Sequence, residues 1–282
     1  MKLELLDSIS LPSDPGKAND DAFGLNQGAA VVFDGATGLG EPLMPGESDA
    51  AWLARFGSNR LLAHLKEGQA PRIALGHALA DAEKSFVALR RRGPAATYEI
   101  PFASMMLIAV QREGVEALWF GDCAAFMAQP GAPVMLLGDA IQKREAEAAR
   151  VAQLATKHNL SPASGSNRPE YLSALRHARN FVNTDKGGWL FGPDVRALEH
   201  VCSTYQEIAK GTFVLLVTDG FLALASDYHR YDLDSLVGAA KSIGLKALGT
   251  ELREIEANDS DGKLYPRFKT SDDATAVLLR VT

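Results

Sequence analysis

Val31-Val32-Phe33-Asp34-Gly35 and, much further along the chain, Leu215-Leu216-Val217-Thr218-Asp219-Gly220 share one build: an apolar run that delivers a carboxylate into a turn. A short unbroken run of branched and bulky apolar residues suits a central strand covered on both faces. Two other segments put aspartates ahead of strands, Asn19-Asp20-Asp21 before Ala22 to Leu25 and Ser271-Asp272-Asp273 before Ala274 to Val281. Any one of these is ordinary, because Asp-Gly is a common turn and Asp a common cap. Four together aim several acids at one end of a sheet, where they would repel unless cations lay between them.

Around these segments the pattern alternates between strands and helices. Strands are expected at Lys2 to Ser8, Ala22 to Leu25 and Ala29 to Phe33. Helices follow at Ser48 to Leu65, with Ser48 or Asp49 as cap, and at Arg72 to Arg91 after Pro71. Residues Phe102 to Val110, Ala117 to Phe120, Ala124 to Ala128 and Val134 to Leu137 read as an antiparallel meander broken at Glu113-Gly114, Gly121-Asp122 and Pro130-Gly131. Asp139 to His158 reads as an exposed helix, followed by a polar stretch with Pro162, Gly165 and Pro169. The whole of 139–188 is expected to be a surface insertion. Further strands are expected at Val201 to Tyr205, Thr212 to Val217 and Ala274 to Val281, and helices at Tyr231 to Ser242 and Leu245 to Ala257. Blocks of strands and blocks of helices indicate an α+β layered sandwich rather than a strictly alternating parallel fold.

The 282 residues are 46% hydrophobic and 23% charged, enough for a full core, and no Pro/Ser-rich linker interrupts them, so one domain over 1–282 is expected. A net charge of −6 gives no general attraction to nucleic acid or to an anionic membrane, and neither is expected as a partner. Two cysteines, Cys123 and Cys202, make no disulfide framework. Residues 1–10 lack a basic region followed by a long apolar run, and a cytoplasmic, monomeric protein is the expectation.

The ordered set Asn19-Asp20-Asp21, Asp34-Gly35, Gly121-Asp122-Cys123, Thr218-Asp219-Gly220 and Asp272-Asp273-Ala274-Thr275 resembles the successive motifs of the metal-dependent protein phosphatase family, the type 2C serine/threonine phosphatases, in bacterial-type form. The resemblance implies a four-layer α-β-β-α sandwich of two mostly antiparallel sheets flanked by helices. It implies two Mg²⁺ or Mn²⁺ ions per chain, with a third, weaker one. Asp34 would bridge two metals, the carbonyl of Gly35 would join one of them, and Asp219 and Asp272 would complete the first. Asp20 and Asp21 would reach the second, and Asp122 would hold the third. Catalysis would run through water shared by the metals and held by Asp34 and Asp219, acting on phosphoserine or phosphothreonine of a protein substrate. Oxygen-only ligands favour Mg²⁺ or Mn²⁺ over zinc.

Two positions depart from that pattern. Relatives commonly carry an arginine for the substrate phosphate where this chain has Gly16. Lys17 beside it offers a point charge without the planar fork. Arg176 or Arg179 could reach in to the phosphate instead, but an ordinary solvated helix face is the preferred reading of both. Asp34-Gly35-Ala36-Thr37-Gly38 also lacks the histidine that some relatives use as a general acid. Gly16 in place of arginine motivates an alternative: a catalytically weak, phosphatase-like module that regulates or binds phosphoproteins.

Other readings are weaker. Gly35-Ala36-Thr37-Gly38-Leu39-Gly40 follows a strand, but its glycine spacing and the prolines at 42 and 45 do not suit a dinucleotide loop. Asp259-Ser260-Asp261-Gly262 starts like a calcium loop, yet position 270 is Thr270, so a polar turn is expected. No Ser/His/Asp context surrounds Ser104, Cys123 reads as buried and inert, and His77 as a packed or surface residue.

Overall fold

The structure, a computed structural model, describes residues 1–46, 48–158 and 169–282; the stretch around Pro162 and Gly165 lies outside the described residues. Among the described residues ten strands form two five-stranded sheets, and every strand pairing is antiparallel. One sheet has the order β2 (Asp21–Leu25), β3 (Ala29–Gly35), β4 (Ala103–Val110), β5 (Gly114–Phe120), β8 (Cys202–Glu207). The other has the order β1 (Leu3–Leu11), β10 (Ala274–Val281), β9 (Phe213–Val217), β6 (Ala124–Ala128), β7 (Met135–Leu137).

Side-chain alternation along the central strands builds the layers. On β3, Val31 and Phe33 face helices α1 (Asp49–Lys66) and α2 (Pro71–Leu89), while Ala30 and Val32 face the other sheet. On β9, Leu215 and Val217 pack toward α5 (Asp219–Ser226), α6 (Leu233–Ser242) and α7 (Leu245–Asn258), and Val214 and Leu216 point inward. Both faces of these strands are buried, which explains why their sequences are unbroken apolar runs instead of alternating ones. Three apolar layers result, and the helix–sheet–sheet–helix order is the α+β sandwich expected from the sequence.

The run from Phe102 to Leu137 is not one meander. Strands β4 and β5 belong to one sheet, whereas β6 pairs with β7 and β9 in the other. The chain changes sheets at Gly121-Asp122, where Gly121 adopts φ +70° and a Cβ would lie 2.1 Å from the Ser104 hydroxyl. Periodicity reports strands but not which partner each finds, so a crossover looks like a hairpin.

Between β7 and β8 lie α3 (Ala140–His158) and α4 (Pro169–Arg179). Helix α3 is less exposed than its composition suggests, because Arg144 is 9% exposed and Val151 is fully buried. Helix α4 carries the arginines that the sequence placed on a helix face, whereas α5 goes beyond the elements expected: it spans eight residues in which Asp219-Gly220 starts a helix instead of closing a turn. No helix among the described residues is long and apolar enough to cross a membrane.

Candidate active site

The two sheets bring their carboxylates together at one end of the sandwich. In the first sheet Asp34 on β3 lies directly opposite Asp21 on β2 and opposite Ser104 on β4. Strand alternation puts Asp34 on the same face as Val32, toward the other sheet. Ser104 donates its hydroxyl to Asp122 at the sheet crossover. From the second sheet, Thr218 at the end of β9 donates to Asp21 Oδ2 at 2.7 Å, joining the two sheets. Asp219 follows as the first residue of α5, and Asp272 and Asp273 precede β10.

Asp34, Gly35, Asp122, Asp219 and Asp272 line one cavity of about 570 Å³. Asp21 sits buried behind it, and its Oδ1 has no hydrogen-bond partner. Asp20 lines an adjoining cavity of about 530 Å³ and accepts from the Ser48 hydroxyl at the start of α1. Lys17 lines that second cavity as well, with its side chain 73% exposed and its ammonium 3.7 Å from Asp14. Asp273 acts on the backbone instead. Its two oxygens accept the N–H groups of Ser13 and Asp20, both at 2.6 Å, and so fix the segment ahead of β2.

Close backbone contacts hold these segments in place. A Cβ on Gly35 would lie 2.6 Å from the carbonyl oxygen of Asp20, and one on Gly220 would lie 2.0 Å from that of Asp273. Only glycine permits either approach. Gly220→Ala is therefore expected to push α5 away from the segment before β10 and to destabilise the protein by about 3 kcal/mol, read from the urea midpoint. An unchanged midpoint would show that this contact is not needed.

The electrostatics follow from crowding. Burial, and then the charges of Asp219, Asp21, Asp122 and Asp272, push the Asp34 carboxyl well above the usual range. Burial also raises Asp21 well above it; hydrogen bonds from Thr218 and Thr275 oppose the rise, and Asp273 and Asp219 add to it. Asp20 is raised by burial, with Ser48 opposing. The thiol of Cys123 is pushed well up by burial and by the same acids, so it is an inert, buried group as expected.

The chain answers this crowding with its own cations. Arg144 from α3 donates to Asp219 at 2.7 Å and, through Nε and Nη2, to Asp227 at 3.1 and 3.0 Å. Lys269 donates to Asp272 at 2.6 Å and to the Thr37 hydroxyl at 3.0 Å. Burial opposes the Lys269 charge, but Asp272, Asp34 and Asp219 outweigh it and hold the ammonium up. Arg179 on α4 is half-buried between the two cavities and donates to the carbonyls of Thr37 and Ala36. Burial pulls it down to about 10, against the pull of Asp34, which leaves it cationic at neutral pH. Neither Arg179 nor Arg176, which donates to Leu39 and stacks on Tyr98, lies on a solvated helix face as the sequence suggested. Long-range pairing of α4 with the loop after β3 leaves no periodic trace, so only the positive charge of that stretch could have drawn attention to it.

The donor set fits hard divalent cations in chemistry. The acids lining the cavity offer only oxygen, no described His or Cys joins them, and a buried carboxylate oxygen waits unpartnered behind. As placed, no three such side chains among the described residues stand close enough to hold one ion. The Asp259 segment is the polar turn expected: its carboxylate accepts from Leu264, Tyr265 and Arg267.

No family model matches the chain, and no curated protein does. Solved structures do. The chain is similar to the serine/threonine phosphatase PstP/Ppp of Mycobacterium tuberculosis, at 14% identity and a TM-score of 0.59, covering 100% of this chain and 99% of that one. It is similar to the photosystem II phosphatase PBCP, at 16% identity and a TM-score of 0.60, covering 99% of each. A structure of the PstP catalytic domain in complex with two manganese ions matches at 14% identity and a TM-score of 0.56, over 100% of this chain and 99% of that one. The chain therefore has the fold of these phosphatases.

Proposed function

We propose that this protein is a metal-dependent phosphatase that hydrolyses phosphoserine or phosphothreonine in protein substrates. The observation that carries the reading is the convergence of Asp34, Asp219 and Asp272, from distant parts of the chain and from both sheets, on one cavity. The fold shared with serine/threonine phosphatases, one of them solved with two manganese ions, supports it.

Asp34, Asp219 and Asp272 would hold one Mg²⁺ or Mn²⁺, and Asp34 with Asp20 and Asp21 a second, with the carbonyl of Gly35 on one of the two; Asp122 would serve a weaker third. When bound, such ions supply Lewis acidity, neutralising phosphoryl oxygens and acidifying water. The chain's own residues do the rest. Asp34 and Asp219 place that chemistry in the cavity, and the cations Lys143 and Arg179 that line it offset the dianion that enters. Among the described residues no side chain lining the cavity is an imidazole or a thiol, so the reading assigns no role to a protein nucleophile or a histidine acid. The proposed setting is a monomer of one domain, in the cytoplasm, with 139–188 as an insertion beside the site.

The test is hydrolysis of p-nitrophenyl phosphate and of a phosphothreonine peptide with Mn²⁺. Activity is expected to vanish with chelator and to fall about 10³-fold in Asp34→Ala and Asp219→Ala. Activity indifferent to chelator and to both substitutions sinks the metal reading. A second reading, a regulatory module that binds phosphoproteins, is favoured by Gly16 and by the ion pairs already occupying Asp219 and Asp272. A phosphopeptide that binds tightly and is never turned over would select it.

A further inference from the structure

A phosphate dianion entering a cavity lined by four aspartates needs a fixed positive group whose charge is not already neutralised. The cations lining that cavity differ in what they already hold. Arg144 is ion-paired to Asp219 and Asp227. Arg267 is ion-paired to Asp259 at 2.6 Å and hydrogen-bonded to four backbone carbonyls besides. Lys269 is ion-paired to Asp272. Among the described residues Lys143 reaches only the carbonyl of Gly121, but it is an exposed side chain on a long flexible stem.

Arg179 differs from all of them. Its Nη1 donates to the carbonyls of Thr37 and Ala36, which are uncharged acceptors that fix the guanidinium without cancelling its charge. Among the described residues it has no carboxylate in ion-pair contact, and its Nε and Nη2 have no hydrogen-bond partner there. It is also the one cation among the described residues that lines both cavities, and the second of them contains Gly16 and Lys17. Lys17 is mostly solvent-exposed and has Asp14 beside it, so it presents no fixed positive group.

Building on the phosphatase reading above, we infer that Arg179 is the residue that grips the substrate phosphate, acting from α4 in place of the arginine that Gly16 does not supply. The one free edge of the planar guanidinium, Nε with Nη2, suits a bidentate contact with two phosphoryl oxygens, and the carbonyls of Thr37 and Ala36 hold the plane beside Asp34. Helix α4 thereby becomes part of substrate recognition rather than a neighbour of the site.

The experiment measures binding of inorganic phosphate by calorimetry in the presence of Mg²⁺, for wild type, Arg179→Met, Arg179→Lys and Lys17→Ala. Wild type is expected to bind, and Arg179→Met to bind about tenfold more weakly or less. Arg179→Lys, which keeps the charge and loses the fork, should fall between, and Lys17→Ala should stay within about twofold of wild type. Thermal melts and Mg²⁺ affinity read whether a variant is folded and metal-competent; if Arg179→Met does not fold, Arg179→Lys decides by the same comparison. Phosphate affinity unchanged by substitution at Arg179, lost on substitution of Lys17, or absent from wild type overturns the inference. Binding that depends on Arg179 in a protein that hydrolyses no phosphomonoester upholds it and rejects the enzyme reading instead.

Discussion

Asp34→Asn is expected to destroy hydrolysis and at the same time to make the metal-free protein more stable. The carboxylate stands opposite Asp21 on the neighbouring strand, and like charges directly across a pair of strands are unfavourable. Asp219, Asp122 and Asp272 add to the repulsion, on top of the loss of hydration. An amide keeps the shape and removes the charge. Because the folded protein raises the Asp34 pKa, it holds that proton more tightly than the unfolded chain does. The associated stability is fully present below the unfolded carboxylate pKa, near about 4, and is lost as pH rises through the folded value. The advantage of the asparagine variant should therefore be nil near pH 4 and reach about 1–2 kcal/mol at pH 7.5 in EDTA, by urea denaturation at several pH values. A variant no more stable than wild type at pH 7.5 would mean that Asp34 is not under the strain described. A group kept against stability is what a functional site looks like.

The second large effect is expected at Arg144. Arg144→Met leaves Asp219 and Asp227 without the guanidinium that both contact, in a place where all three side chains are about one-tenth exposed. Breaking a buried ion pair from one side costs about 3–5 kcal/mol, far more than the pair itself contributes. In EDTA the variant should melt well below wild type. Mn²⁺ should then raise its melting temperature more than it raises that of wild type, because a bound cation takes over the neutralisation of Asp219. An equal Mn²⁺ shift in both proteins would separate the arginine from the metal ligands.

The sequence is informative about this molecule where the physics is local. Val31 to Phe33 and Leu215 to Val217 announce central strands because burial on both faces needs nothing but apolar side chains, and the aspartates that follow mark where those strands stop. The sandwich and the cavity acids at 34, 122, 219 and 272 follow from that pattern together with the motif order. Gly121 and Asp122 read as a turn, but not as the crossing from one sheet to the other, since strand partners are chosen by packing across the fold. The contacts of Arg144 with Asp219, and of Arg179 with the carbonyls of Thr37 and Ala36, span 75, 142 and 143 residues. Arginines on amphipathic helices are ordinary, and nothing in their spacing distinguishes a solvated guanidinium from one folded inward. Helix α5 is hidden by its brevity: an Asp-Gly pair opens it, and only the carbonyl of Asp273 at Gly220 shows why the glycine is there.

The pairing of β1 with β10, from Leu3 opposite Val281 to Leu11 opposite Ala274, has a consequence for biosynthesis. The strand at 3–11 emerges long before its neighbour, which is synthesised about 270 positions later. Asp272 reaches the cavity on the approach to that same late strand. The cavity therefore lacks one of its four lining aspartates, and β1 lacks its neighbour, until the ribosome has passed the approach to β10 and the strand itself.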